Sequence, residues 1–285
     1  MPRIAYVNGV YRRLADAGVS VEDRGFQFGD GVYEVIAVRG GRWLDRDAHL
    51  RRLRRSLVAL QMAMPMSAQA LGLVLQETLR RNRLTDALIY MQVTRGVARR
   101  DHVFPDPART HATLVITARP YNWASADKKS KEGIAVVSMP DLRWARRDIK
   151  SVNLLPNVLA KEAAKRAGAG EVWLVDQAGY VTEGASSNAW IVGSDGGLVT
   201  RALSHDILPG ITRESLIAGD LAALGLRLEE RAFTITEALA AKEAFITGAT
   251  NIATPVIRID GQPVGDGKPG PIAARLRGAY WRRNN

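Results

Sequence analysis

Arg119-Pro120-Tyr121-Asn122-Trp123-Ala124-Ser125-Ala126-Asp127-Lys128-Lys129-Ser130-Lys131 divides the chain. The stretch carries neither helical nor strand periodicity and contains a proline, so residues 119–131 read as a linker between two domains. On its N-terminal side, strands and helices alternate. Ile4 to Arg12 reads as a hairpin turning at Asn8-Gly9, and Tyr33 to Leu44 as two strands around Gly40-Gly41. Asp45 or Asp47 is placed to cap a helix reaching about Gln61, and Ser67 a second one through about Arg83. Ala87 to Thr94 and Thr113 to Ala118 have the β-branched, alternating character of strands. Residues 1–118 are therefore expected to form a small α/β domain.

On the C-terminal side, strands are short and frequent: Ile134 to Ser138, Glu171 to Val175, Tyr180 to Thr182, Ala189 to Val192, Leu198 to Arg201, Phe245 to Thr247 and Val256 to Ile259. Helices interrupt them at Asn157 to Ala167, Thr212 to Leu224 and about Thr236 to Lys242. Residues 132–285 are expected to form a larger, barrel-like domain. The fold class is thus α/β in the broad, α+β sense.

Composition narrows the function. Of 285 residues, 46% are hydrophobic, which excludes a disordered chain. There is no cysteine, so thiol nucleophiles and disulfides are excluded, a cytoplasmic location is expected, and no metal site is anticipated. Met1-Pro2-Arg3-Ile4-Ala5-Tyr6 has no apolar leader, and no run nears the ~20 apolar residues of a membrane span. The net charge of +11 raises a basic nucleic-acid-binding protein as a remote alternative. The arginines are scattered in small groups without interleaved aromatics, which reads instead as solvated faces or attraction of anionic substrates.

Two stretches carry the chemistry. Arg143-Trp144-Ala145-Arg146-Arg147-Asp148-Ile149-Lys150 ends on an amine, in surroundings that read as half-buried through Trp144, Asp148, Ile149, Asn153, Leu154 and Leu155. Val181-Thr182-Glu183-Gly184-Ala185-Ser186-Ser187-Asn188 sets a carboxylate at a strand end, followed by small residues and short donors. A lysine for an aldehyde and an acid for a pyridine nitrogen are what pyridoxal 5′-phosphate (PLP) chemistry needs. Either alone reads as an ordinary surface lysine or turn carboxylate. Leu208-Pro209-Gly210-Ile211-Thr212-Arg213 opens a helix, where the N–H groups of Ile211 and Thr212 suit an anion or serve a plain cap. Gly248-Ala249-Thr250-Asn251 is a second small-residue loop able to close on a phosphate. His49 and Arg52 share one helix face. Arg100 and His102 point the same way from a loop able to grip a carboxylate, and Tyr33 adds a hydroxyl or packs in the core.

Together these stretches, with Glu22 to Val35, Gln92 to His102 and Thr254-Pro255-Val256, resemble the class IV (fold-type IV) PLP-dependent aminotransferases, and within them the D-amino acid group. The resemblance implies that Lys150 is the Schiff-base lysine and acid–base, and that Glu183 faces the pyridinium nitrogen. Arg52 and the N–H groups of Ile211 and Thr212 would hold the phosphate, Leu208 would pack on the ring, and Ser187, Asn188, Ala249 and Thr250 would complete the cofactor site. The family usually has a hydroxyl residue at the Ala249 position, which Thr250 would replace. Tyr33, Arg100 and His102 would trap the substrate carboxylate, the last two from a neighbouring subunit of a homodimer. The implied activity is ping-pong transamination between a D-amino acid, such as D-alanine or D-glutamate, and a 2-oxo acid, pyruvate or 2-oxoglutarate. A branched-chain L-amino acid aminotransferase and an aminodeoxychorismate lyase are the alternatives within the fold. No nucleic-acid or membrane partner is implied.

Overall fold

The computed structural model describes residues 3–284; Met1, Pro2 and Asn285, the outermost residues of the expected domains, lie outside the described residues. Chain contacts divide it into two units. The first runs to Asn122 and includes Ile149–Asn153; the second comprises Trp123–Asp148 and the chain from Leu154 onward.

The first unit holds β1 (Ile4–Val7), β2 (Val10–Arg13), α1 (Arg24–Phe28), β3 (Gly31–Arg39), β4 (Arg42–Trp43), α2 (Arg46–Ala59), α3 (Ala68–Asn82), β5 (Ala87–Thr94) and β6 (Thr113–Pro120). Its sheet has the order β2-β1-β6-β5-β3-β4, with every neighbouring pair antiparallel. Leu50, Leu53 and Leu57 of α2 and Leu71, Leu75 and Leu79 of α3 recur at helical spacing and are buried with Val32, Ile36, Ile89, Met91, Val93 and Ile116 of the strands. The alternate strand residues Tyr33, Val35, Tyr90, Gln92, Val115 and Thr117 are only half-buried, so the sheet has one face closed by apolar packing and one more open. Ser67 caps α3 by accepting from the Ala70 N–H. Asp45 precedes α2 in the left-handed region (φ 51°) and its side chain makes no capping bond, contrary to expectation.

Ile149–Asn153 runs antiparallel to the start of β3. The Tyr33 N–H donates to the Lys150 carbonyl (3.0 Å), the Val152 N–H to the Gly31 carbonyl (3.1 Å), and Ile149 enters the first unit's core. The expected partition put Lys150 in the larger domain; the backbone pairing puts it with the smaller.

The second unit holds α4 (Trp123–Glu132), β7 (Ile134–Pro140), α5 (Leu155–Arg166), β8 (Glu171–Val175), β9 (Val181–Gly184), β10 (Asn188–Val192), β11 (Leu198–Thr200), α6 (Ile211–Gly219), β12 (Leu228–Glu230), α7 (Ile235–Ala240), β13 (Glu243–Gly248), β14 (Ile252–Ile259), β15 (Gln262–Pro263) and α8 (Pro271–Asn284). The sheet order is β12-β11-β10-β13-β14-β7-β8-β9, with β15 on β14. β9 is a terminal strand and β10 an inner one, yet a tight turn joins them, with the Gly184 N–H donating to the Ser187 carbonyl (2.7 Å). The sheet must curl for both to hold, giving the barrel-like half expected. Ala189 and Ile191 face an inner core with Trp173, Phe233 and Ile246, while Trp190 and Val192 face an outer one with Phe245, Leu216 of α6 and Leu276 of α8.

The expected linker is α4 over most of its length. Its inward face is Trp123, Ala126, Asp127 and Ser130, which is helical spacing, but half of that face is polar. Trp123 meets Trp281 edge-on (5.4 Å), and Asp127 pairs with Arg277 of α8 (2.5 Å). Hydropathy alone could not show a stripe whose polar half is satisfied by partners far along the chain.

Candidate active site

In the first unit the strand pairing of Ile149–Asn153 delivers Lys150 to the open sheet face. Its Nζ lies 3.3 Å from the Tyr33 hydroxyl and 4.3 Å from that ring's centroid. Tyr33 stacks on Tyr90 (5.6 Å, 26°), whose hydroxyl donates to Gln92 Oε1 (2.6 Å). Burial, with Tyr33 beside it, pushes the Tyr90 hydroxyl up to about 12. Behind this, on the α2 side, Glu34 is wholly buried between His49 Nδ1 (2.7 Å) and Arg52, whose Nε and Nη2 approach its two oxygens at 2.7 and 2.8 Å. Burial would raise the Glu34 carboxyl, but Arg52 and then His49 hold it at about 2. Burial likewise depresses His49 below the ordinary imidazole value, against the pull of Glu34.

Arg100 and His102 meet on one ring. The Arg100 guanidinium stands 4.6 Å over Phe28, and the His102 ring lies 5.6 Å from it. Buried Arg24 fixes that loop, donating from Nη1 to the Asp101 carbonyl (2.6 Å) and from Nε to Asp30 (2.8 Å). Both Arg100 and His102 are exposed.

In the second unit the end of β9, just before the β9–β10 turn, presents Glu183. Its Oε1 accepts from Arg143 Nη1 (2.5 Å), its Oε2 from Asn188 Nδ2 (3.0 Å), and the Leu208 N–H lies 3.1 Å from both. Burial pushes this carboxyl above its ordinary value, with Arg143 and the Leu208 N–H pulling the other way. Gly210 is required here, because a Cβ on it would lie 2.0 Å from Asn188 Oδ1. Gly210 is also the N-cap of α6 and lends no side chain to the buried first-turn residues Ile211 and Thr212, whose N–H groups lie where a helix has no acceptors of its own. Ser187 donates to buried Glu171 (3.1 Å), as does Ser186 (2.8 Å), so Ser187 braces the turn. Ala249 and Thr250 are half-buried in the turn joining β13 to β14.

A family model described as amino-transferase class IV matches residues 31–259. The chain is 40% identical over 269 residues to the D-alanine aminotransferase of Listeria innocua, covering 93% of this chain and 90% of that one. Among solved structures, the branched-chain amino acid aminotransferase of Escherichia coli superposes with a TM-score of 0.89 at 26% identity, over 100% of this chain and 95% of that one. A T.th. branched-chain amino acid aminotransferase with pyridoxamine 5′-phosphate gives 0.87 at 28% identity, over 99% and 94%.

The chain belongs to the class IV aminotransferases.

Members of the family are PLP-dependent, and the donors of this class IV aminotransferase fit that group. The second unit offers a buried carboxylate held by three donors and a helix start with no side-chain cap. The first offers a half-buried amine on an aromatic face and an arginine fixed by a buried carboxylate. When bound, PLP supplies an aldehyde for the amino group and a ring that stores electrons.

One expectation about surroundings needs correction. Trp144, Asn153 and Leu155 are exposed, because, of this segment's apolar side chains, only Ile149 joins the buried core. Arg143, Asp141, Glu34 and Glu171, which organise the site residues, were not singled out from sequence. Asp141 and Arg143 stand two apart directly after β7, the one local signal that could have marked them.

Proposed function

We propose that this class IV aminotransferase moves the amino group of a D-amino acid, D-alanine foremost, to a 2-oxo acid such as pyruvate or 2-oxoglutarate. The observation that carries the reading is the convergence of Arg100 and His102 on Phe28, since two cationic or donor groups side by side suit a substrate carboxylate. The 40% identity to a D-alanine aminotransferase, against 26–28% for the branched-chain enzymes, favours the same side.

In this reading Lys150 holds the cofactor at rest, then takes the proton from the substrate Cα at Nζ and later returns it. The Tyr33 hydroxyl and ring keep that nitrogen aimed. Glu183 offers its carboxylate to the pyridine nitrogen, with Leu208 against the ring. The first-turn N–H groups of Ile211 and Thr212, with Arg52, take the phosphate; Ala249 and Thr250 border it, and Ser187 and Asn188 hold the turn. The protein would be a cytoplasmic homodimer whose Arg100–His102 loop serves the partner copy; the exposed Phe26, Val103 and Phe104 near that loop suit such an interface. Light scattering of the purified enzyme at monomer mass would refute the dimer.

The test is the visible absorption of the PLP-loaded enzyme on adding D-alanine or L-leucine without an oxo acid. Bleaching by D-alanine supports the reading; bleaching by L-leucine alone moves it to the branched-chain alternative. Lys150→Ala should lose both the lysine-bound absorption and turnover by several orders of magnitude, and near-normal transamination would refute its role.

A further inference from the structure

Glu183 does not stand alone in the second unit. Arg143 donates to it and also grips Asp141 with two bonds, Nε to Oδ1 (2.9 Å) and Nη2 to Oδ2 (2.7 Å). The Asp141 side chain has no solvent exposure, and it also accepts from the Arg143 N–H (3.1 Å) and from Thr182 Oγ1 (2.7 Å), the residue next to Glu183. On its other side stands Arg147 (3.3 Å), which reaches Asp206 (3.1 Å); Arg201 then joins Asp206 to Asp176. Signs alternate along the whole chain, from buried Glu183 to half-exposed Asp206 and on to Asp176.

The alternation matters at its buried end. Glu183 with Arg143 alone would be a neutral pair, and a neutral pair gives a protonated ring nitrogen little reason to stay charged. Asp141 supplies the missing charge. Its two-bond grip draws the guanidinium toward itself, as a planar fork prefers, and leaves Glu183 held by a single arginine bond.

Resting on the reading that Glu183 faces the pyridine nitrogen, we propose that Asp141 is a positioning residue. It neutralises and orients Arg143, so that Glu183 presents a net negative charge to the ring. Thr182 keeps β9 in step with Asp141, coupling the orientation of the two carboxylates.

The experiment compares the pH dependence of the bound cofactor's absorption, and the PLP dissociation constant, in four proteins: wild type, Glu183→Gln, Asp141→Asn, and Asp141→Asn combined with Arg143→Gln. Asp141→Asn should lower the pH of the spectral transition by about one unit and weaken PLP binding about tenfold. The double variant removes one charge of each sign and should return both readouts toward wild type. A merely structural brace would not be rescued by removing a second of its members. If Asp141→Asn fails to fold, the double variant decides: wild-type-like titration supports the proposal, and titration like Glu183→Gln overturns it. If Glu183→Gln shifts the transition but Asp141→Asn does not, or the double variant is no better than the single, the proposal falls while the reading of Glu183 stands. If Glu183→Gln itself leaves the transition unmoved, the reading of Glu183 falls and the proposal with it.

Discussion

Glu34→Gln should loosen the first unit and leave the second unchanged. Glu34 is wholly buried, and its carboxyl is held at about 2 rather than 4.5. That difference corresponds to about 3 kcal/mol of folding stability. Its sign follows from the depressed native value: the contribution is fully present above about pH 4.5 and is lost as pH falls through 2. At pH 3, roughly 2 kcal/mol of it is gone. His49 adds in the same direction. Burial depresses it below its ordinary value of 6.5, so its contribution is present above that value and starts to fade as pH falls below it. Replacing Glu34 by Gln removes the carboxylate while Arg52 stays buried, and an uncompensated buried charge costs about 3–5 kcal/mol.

Hydrogen exchange read on peptides covers the two units separately. Peptides from β3 and α2 should open about a hundredfold more often in the variant at pH 7, after correction for intrinsic rates. Peptides from β10 and β13 should not change. In wild type the β3 and α2 peptides should lose protection as pH falls from about 4.5 toward 2, and in the variant this loss should be largely absent. Variant exchange within threefold of wild type at pH 7 would refute the reasoning, because the triad would then contribute almost nothing net.

Two further substitutions probe the second unit. Gly210→Ala is compatible with the local backbone (φ −65°), so its defect is the 2.0 Å contact with Asn188 Oδ1 alone; it should cost about 1–3 kcal/mol in thermal unfolding and weaken PLP binding, as followed by absorbance titration. Glu171→Ala strands the buried Ser187 hydroxyl and Val172 N–H, each an interior donor worth about 1–3 kcal/mol when unmet, and frees the exposed Ser186 hydroxyl to water; a melting temperature within 2 °C of wild type, on the order of the smallest resolvable change, would show that water replaces the carboxylate.

What could be read from the sequence is what depends on local chemistry. Ala87 to Thr94 forms the strand expected because β-branched and apolar residues recur there, and Ser67 caps α3 because a hydroxyl before a helix meets an orphan N–H. His49 and Arg52 share a face for the same kind of reason, helical spacing. Lys150 and Glu183 stood out through their neighbours along the chain. The unread parts share a different cause. α1 is five residues long and contains a glycine, so no apolar period can develop in it; Asp23 starts it by capping Gly25, and buried Arg24 does its work on Asp30 and Asp101. α8 carries a buried arginine, Arg277, that hydropathy scores as a break in the stripe until Asp127 is seen beside it. The same holds for the polar residues that support the site. Glu34 meets Arg52 across 18 positions, Glu171 meets Ser187 across 16, and Arg143 meets Glu183 across 40. A buried charge is tolerable only with its partner, so its place in the core is a property of two positions and of neither alone. Residues proposed to meet substrate and cofactor thus leave marks in short motifs, whereas the residues that pair with them are recognisable only once the fold has closed the distance.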